Sequence, residues 1–342
     1  MATATARRPV LYLASVIPEI AQTIRNINPN IEVKEVKIDG DPAELSGIKT
    51  PPDVLASALK DAEVLLTDPF ILGPILYRLP RMKWVMSTWA GPDKVFQYVD
   101  QSKPFPDFTL TRFAGKFGPA MAEYVVGNIV ARERHFQEMR QDQERCKWNW
   151  SARANYRLLS TLSLGILGLG EIGKEVARAC QTFGMTVYGA VRGIPEDSNK
   201  SPYVSHYKLL SELPEVFHNC DYVCNILPST PETRGLLNGD VFKHCANKKS
   251  VFINVGRGDV VDEDTIVNAI SQGWLSGAIL DVYPEEPLPA SSKLWTCPGV
   301  TLSPHVAAVS FGWQVAEVVC ENYERYVQGL PLKYQVSWEK GY

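Results

Sequence analysis

The 342-residue chain has no uninterrupted apolar run near the 18 or so residues that a membrane helix needs. It also lacks a concentrated basic arm. Its 35 Lys and Arg are spread among 38 Asp and Glu, for a formal charge of −3. Such a pattern offers no electrostatic footprint to nucleic acid or to a charged membrane surface. Cysteine is sparse, odd in number at seven and irregularly spaced, which argues against a disulfide framework. That usage fits a reducing compartment, with the cytosol as the default address. Cys220 and Cys224 stand near His218 and His244, but Cys-x3-Cys at these separations is not a zinc-finger pattern, so no metal is expected. Repeats and low-complexity tracts are missing too. The opening MATATARRPVLYLAS has two arginines and a short apolar run, which reads as a first strand rather than a secretory leader. What remains is ordinary for a globular protein: 45% apolar and 21% charged residues, enough chain for two domains of about 150 residues.

Strand-like runs alternate with helical patterns nearly throughout. The first third suggests strands at 10–13, 31–36, 62–67, 84–87 and 108–111, with amphipathic stretches at 17–27 and 53–59. A second series begins at Leu162, with strands at 163–167, 186–190, 222–227, 251–255, 278–280 and 300–302. This alternation predicts an α/β protein with parallel sheets. A helix over 262–272 opens on Asp-Glu-Asp and stops at Gly273. Residues 119–145 read as one long helix able to cross between domains, and 306–328 as a final helix ending at Gly329. The eight tryptophans are expected mostly in cores, with Trp89 and Trp313 as candidate pocket walls. His135, His206, His218 and His244 are expected on helices or loops.

The sharpest local signal is LGILGLGEIGKEVARACQTFGMTVYGAVR. Gly168, Gly170 and Gly173 form G-x-G-x-x-G directly after a strand, and the following helix puts Ile172, Val176, Ala177, Cys180 and Phe183 on one face. The first glycine permits a tight turn, the second lets a pyrophosphate approach the backbone, and the third lets helix and strand pack closely. The pyrophosphate then meets the free N–H groups of the helix start. At the end of the second strand, the acid that would hydrogen-bond a ribose 2′-hydroxyl is replaced by Val191, and Arg192 follows. Nothing there repels a 2′-phosphate, and a guanidinium can grip it, so NADP(H) is expected over NAD(H).

Three later segments carry charge just beyond strand ends: INVGRGDVVDE with Arg257, ILDVYPEEPLP with Asp281 and Glu286, and SPHVAA with His305. Reducing a 2-oxo acid requires holding a carboxylate and delivering a proton to the nascent alkoxide. Arg257 suits the first task. His305 suits the second as a general acid, with Glu286 fixing its tautomer and favouring its protonated form.

In order and spacing, these segments resemble the D-isomer-specific 2-hydroxyacid dehydrogenases over nearly the whole chain. ILPSTPETRGLLN, LPRMKWVMSTWAG, MAEYVV and the ending Lys340-Gly341-Tyr342 are similar as well, the last pointing to the glyoxylate/hydroxypyruvate reductase branch. The resemblance implies two Rossmann/flavodoxin-like domains. A substrate-binding domain would span 1–115 and 310–342, and an NAD(P)-binding domain, 116–309, would be inserted into it. It implies Arg257, Glu286 and His305 as the catalytic triad and Asp281 as the acceptor for the nicotinamide carboxamide. Glu171 and Ile172 beside the glycines, Leu227, Pro228 and Thr233, and Val255 with Gly256 and Arg257 complete the expected cofactor contacts. Trp89, Ala90 and Gly91 would bind the substrate carboxylate with Arg257 and His305, and the bulk of Trp89 would favour small oxo acids. A homodimer built on the cofactor domain is implied too. The expected activity is NADPH-dependent reduction of glyoxylate or hydroxypyruvate. One alternative is NAD-linked oxidation of a phosphoglycerate-like acid, disfavoured because only Lys94 lies near Trp89. The other is a dinucleotide-sensing corepressor, disfavoured by the short stretch after the last helical pattern.

Overall fold

The computed structural model describes residues 8–39 and 48–341. The opening seven residues, including Arg7, and the terminal Tyr342 lie outside the described residues. The chain divides into two compact units, one of Met1–Lys116 with Ser310–Tyr342 and the other of Phe117–Val309.

The first unit holds β1 (Leu11–Ala14), β2 (Val33–Glu35), β3 (Val64–Thr67), β4 (Trp84–Ser87) and β5 (Thr109–Arg112). They form one parallel sheet in the order β2-β1-β3-β4-β5. The order reverses between β1 and β3, and open sheets of this kind bind ligands beyond the strand ends at such a reversal. The helix Gly312–Val327 returns the chain to this unit and packs on the helix Ile20–Ile27. Close approach there needs Gly312, whose Cβ would stand 2.3 Å from the Pro18 carbonyl oxygen.

The second unit carries β6 (Ser163–Leu167), β7 (Thr186–Val191), β8 (His206–Leu209), β9 (Tyr222–Asn225), β10 (Ser250–Asn254), β11 (Leu275–Leu280) and β12 (Val300–Leu302). All seven run parallel in the order β12-β11-β10-β9-β6-β7-β8, with the reversal between β6 and β9. Alternate residues feed two separate cores. Leu164, Ile166, Tyr222, Cys224, Val251 and Ile253 face one, while Leu167, Val223 and Phe252 face the other. Burial on both faces explains why these strands read as unbroken apolar runs.

Several expectations need correction. The pattern over 119–145 is two helices, Gly118–Glu133 and Phe136–Glu144, separated where His135 takes a left-handed φ of 55°. Both belong to the second unit rather than bridging the two. The last helix begins at Gly312, so residues 306–311 are not helical. Phe183 caps its helix and is exposed, not packed with Val176 and Cys180. Strand β8 carries His206, which lies 4.3 Å from the Tyr188 ring. Of the tryptophans, only Trp84 is fully buried, and Trp148, Trp150, Trp295 and Trp313 are exposed. Among the described residues, no helix is long and apolar enough to cross a membrane.

Candidate active site

In the second unit the turn after β6 fits a dinucleotide on steric grounds. Gly168 has φ +101°, and its N–H is held by the Ala190 carbonyl at 3.0 Å. A Cβ on Gly173 would lie 2.1 Å from the Gly168 carbonyl oxygen, so the helix Glu171–Thr182 can approach the turn only without one. A Cβ on Gly170 would meet nothing within 4 Å, so this glycine faces open space. Among the described residues no side chain caps that helix, which leaves its first N–H groups, from Glu171 onward, available to an anion. These features accommodate a bound pyrophosphate. Ile172 is half-buried beside Glu171.

At the end of β7, Val191 is half-buried and Arg192 exposed. Glu232, on a neighbouring loop, is held below the usual carboxylate range mainly by the Thr230 hydrogen bond, with the charge of Arg192 contributing. The loop after β9 is tied by its own hydrogen bonds. Thr233 Oγ1 donates to the Pro228 carbonyl at 2.6 Å and accepts the Thr230 N–H at 2.8 Å. Leu227 N donates to Asn225, whose amide bonds Asn254 across the strand ends at 2.9 Å. A Cβ on Gly256 would stand 2.7 Å from the Leu227 carbonyl oxygen, so the loops after β9 and β10 touch backbone to backbone, with Val255 buried beneath.

Arg257 follows, half-buried, with Nη1 donating to the Gly256 carbonyl at 2.8 Å. Its neighbour Gly258 is forced: a Cβ there would fall 1.9 Å from the Tyr283 carbonyl carbon. The loops after β11 and β12 are laced just as closely. The Tyr283 hydroxyl lies 2.8 Å from the Leu280 carbonyl and 2.9 Å from that of Ser303. The buried Asp281 accepts the N–H groups of Val306 and Ala307 at 2.8 and 2.9 Å. Its backbone carbonyl takes the His305 N–H at 2.9 Å. His305 thereby keeps a left-handed φ of 56°, a conformation that costs a non-glycine residue about 1–2 kcal/mol.

His305 Nδ1 lies 2.8 Å from Glu286 Oε2, and Glu286 Oε1 accepts the Tyr283 N–H at 3.0 Å. A carboxylate only accepts, so Nδ1 carries the proton and Nε2 is the edge left for another partner. Sequence reading missed the continuation of this network. Tyr124 and Ser303 hydroxyls are 2.6 Å apart, and Ser303 donates to Asp281 Oδ1 at 2.5 Å. Burial pushes the Tyr124 phenol up, which keeps it a donor at neutral pH. Both residues lie inside the motifs MAEYVV and SPHVAA, but nothing in the motifs signals their pairing.

A family profile described as "D-isomer specific 2-hydroxyacid dehydrogenase, NAD binding domain" matches residues 126–307. The chain belongs to that family. It is therefore an NAD(P)-dependent oxidoreductase. Among its curated relatives, glyoxylate/hydroxypyruvate reductase A of Enterobacter sp. (strain 638) is 32% identical over 225 residues, covering 66% of this chain and 70% of the relative. A family member from Aeromonas salmonicida has a crystal structure that aligns with TM-score 0.82 at 29% identity, covering 97% and 99% of the two chains. An NADPH-dependent glyoxylate/hydroxypyruvate reductase from Sinorhizobium meliloti, solved with NADP and sulfate, aligns with TM-score 0.77 at 26% identity, covering 98% and 100%.

The first unit holds Trp89, Ala90 and Gly91, all half-buried, one residue past β4. Trp89 N donates to Ser87 Oγ at 3.3 Å, and its ring meets Phe70 edge-on at 5.5 Å. Among the described residues, the amides of Ala90 and Gly91 donate to no protein acceptor.

Proposed function

We propose that the enzyme reduces small 2-oxo acids, glyoxylate and hydroxypyruvate foremost, to the corresponding 2-hydroxy acids, using NADPH. Arg257 binds the substrate carboxylate with its fork of donors and polarises the ketone. In the first unit, Ala90 and Gly91 offer backbone amides to a carboxylate. His305 acts as general acid: the Nε2 proton passes to the carbonyl oxygen as it becomes a hydroxyl, while Nδ1 stays bonded to Glu286. Glu286 holds the tautomer. When bound, the reduced dinucleotide supplies the hydride to the carbonyl carbon. Its pyrophosphate would lie on the Gly168–Gly173 turn with Glu171 and Ile172, and its carboxamide at Asp281. Leu227, Pro228, Thr233, Val255 and Gly256 would line the rest of its path.

The observation that supports this reading most is the His305–Glu286 pair, 2.8 Å apart at the same edge of the sheet as the glycine turn. For NADPH the support is local, since Val191 stands where an acid would exclude a 2′-phosphate and Arg192 follows it. A homodimer built on the second unit is supported by exposed apolar side chains along one stretch, Phe136, Met139, Trp148, Trp150 and Leu158.

The test combines a substrate panel with a cofactor exchange. Absorbance of reduced nicotinamide should fall with glyoxylate or hydroxypyruvate, and faster with NADPH than NADH. Replacing Val191→Asp and Arg192→Ala together should remove a charge-assisted contact, of about 1.5–3 kcal/mol, and weaken NADPH binding by an order of magnitude or more. No turnover of any 2-oxo acid would remove the reductase reading, and unchanged NADPH affinity would remove the cofactor assignment.

A further inference from the structure

We propose that Asp68 is a positioning residue for the loop Trp89-Ala90-Gly91, holding it through Thr88 so that its amides stay presented to the substrate carboxylate. This rests on the assignment of that loop to substrate binding. Asp68 follows β3 directly and has no solvent exposure. It sits where the five-stranded order reverses, and three donors from two loop segments, those after β1 and β4, converge on its carboxylate. Oδ1 accepts the Ser15 hydroxyl at 2.7 Å and the Thr88 hydroxyl at 2.5 Å, and Oδ2 accepts the Val16 N–H at 2.8 Å. Among the described residues Asp68 forms no ion pair. A buried carboxylate without a cation is expensive, and burial accordingly pushes its pKa up against the pull of these donors. A neutral side chain would fold there more cheaply unless the acceptor geometry has a use.

The use is visible in what Thr88 does next. Its N–H is bonded to the Thr67 carbonyl at 3.0 Å and its carbonyl accepts the Ser310 hydroxyl at 2.7 Å. With the Asp68 bond, side chain and backbone of Thr88 are fixed in three directions, one residue before the loop. Two residues past Asp68, Phe70 braces the Trp89 ring. One segment, 68–70, therefore supports the loop from two sides while, among the described residues, the amides of Ala90 and Gly91 have no protein acceptor. Rigid donors aimed at an anion are worth more than mobile ones, because no reorganisation is needed on binding.

Thr88 and Ser15 donate to the same oxygen, and only Thr88 adjoins the loop, which supplies an internal control. Thr88→Val, nearly isosteric, should raise KM for glyoxylate and hydroxypyruvate about tenfold while leaving kcat and NADPH affinity nearly unchanged. Thr88→Ser should restore KM. Ser15→Ala should lower Tm without moving KM. Asp68→Asn, read alongside, should raise KM in the same way as Thr88→Val. Equal effects of Thr88→Val and Ser15→Ala, or loss of Tm with unchanged KM in Thr88→Val, would reduce Asp68 to a structural hub and overturn the proposal. A wild-type chain that turns over no 2-oxo acid takes the parent reading down and this one with it. Normal wild-type turnover with an unresponsive Thr88→Val removes this inference alone.

Discussion

Glu286→Gln isolates what the carboxylate does for the imidazole. In the native arrangement both oxygens accept, Oε1 from the Tyr283 amide and Oε2 from His305 Nδ1. A carboxamide keeps one acceptor and turns a donor toward the other partner. If that donor faces Nδ1, it stabilises a neutral imidazole protonated at Nε2; if it faces Tyr283, two donors oppose each other. Either way the charge-assisted bond is lost, and the difference from a neutral bond is about 1 kcal/mol. His305 and Glu286 side chains are 48% and 33% exposed, so solvent screening keeps the loss at that low end. At 1.36 kcal/mol for each tenfold change in rate, that loss lowers kcat for 2-oxo acid reduction about fivefold. NADPH affinity should stay nearly unchanged, because the lost bond orients the proton donor. Initial rates followed by nicotinamide absorbance measure the first, and a binding titration the second. An unchanged kcat would refute the pairing of Glu286 with the proton donor.

Gly170→Ala should leave Tm unchanged, since its Cβ meets no protein atom, yet weaken dinucleotide binding, by fluorescence titration, about tenfold or more; normal binding would contradict the pyrophosphate site. Gly173→Ala should lower Tm as well, because its Cβ would collide with the Gly168 carbonyl. Glu133→Gln should cost about 1–2 kcal/mol, because Arg157 and the Tyr222 hydroxyl both donate to this nearly buried carboxylate. Burial pushes the Glu133 carboxyl up, but the bonds from Arg157 and Tyr222 outweigh it and hold it below its ordinary value. Its contribution is thus present above the unfolded glutamate range, near about 4.3, and lost as pH falls through the native value. The Tm gap between wild type and Glu133→Gln should close in acid, and a gap independent of pH would refute the ion-pair account.

The second sheet was legible because its strands are buried on both faces, so each announces itself as an apolar run between turn residues. Strand β8 was not. His206–Leu209 pairs on one side only and is at best half-buried, so no apolar run marks it. The break at His135 was equally silent, since no glycine or proline accompanies it. Arg257, Asp281, Glu286 and His305 stood out because charged residues just past apolar runs are conspicuous in one dimension. Asp68 did not, because its meaning lies in Ser15 and Thr88, 53 and 20 residues away. Exposure of Trp148 and Trp150 was illegible for a related reason: composition reveals that an aromatic is present, not which surface it faces.

Two half-exposed groups, His305 and Glu286, are nonetheless held in one geometry, and the cause lies beneath them rather than between them. Side chains this open cannot order one another, since an exposed ion pair returns little for the entropy it fixes. Order is supplied by backbone contact among the three loops that follow β10, β11 and β12. Gly258 permits contact with the Tyr283 carbonyl, the Tyr283 hydroxyl lies within bonding reach of the ends of β11 and β12, and Asp281 fastens residues 305–307 through three backbone amides. The left-handed His305 is held by that fastening, not by the imidazole's own partner. A loop set laced at the level of peptide groups can carry exposed, titratable side chains without losing their aim, which is what proton delivery to a small substrate requires.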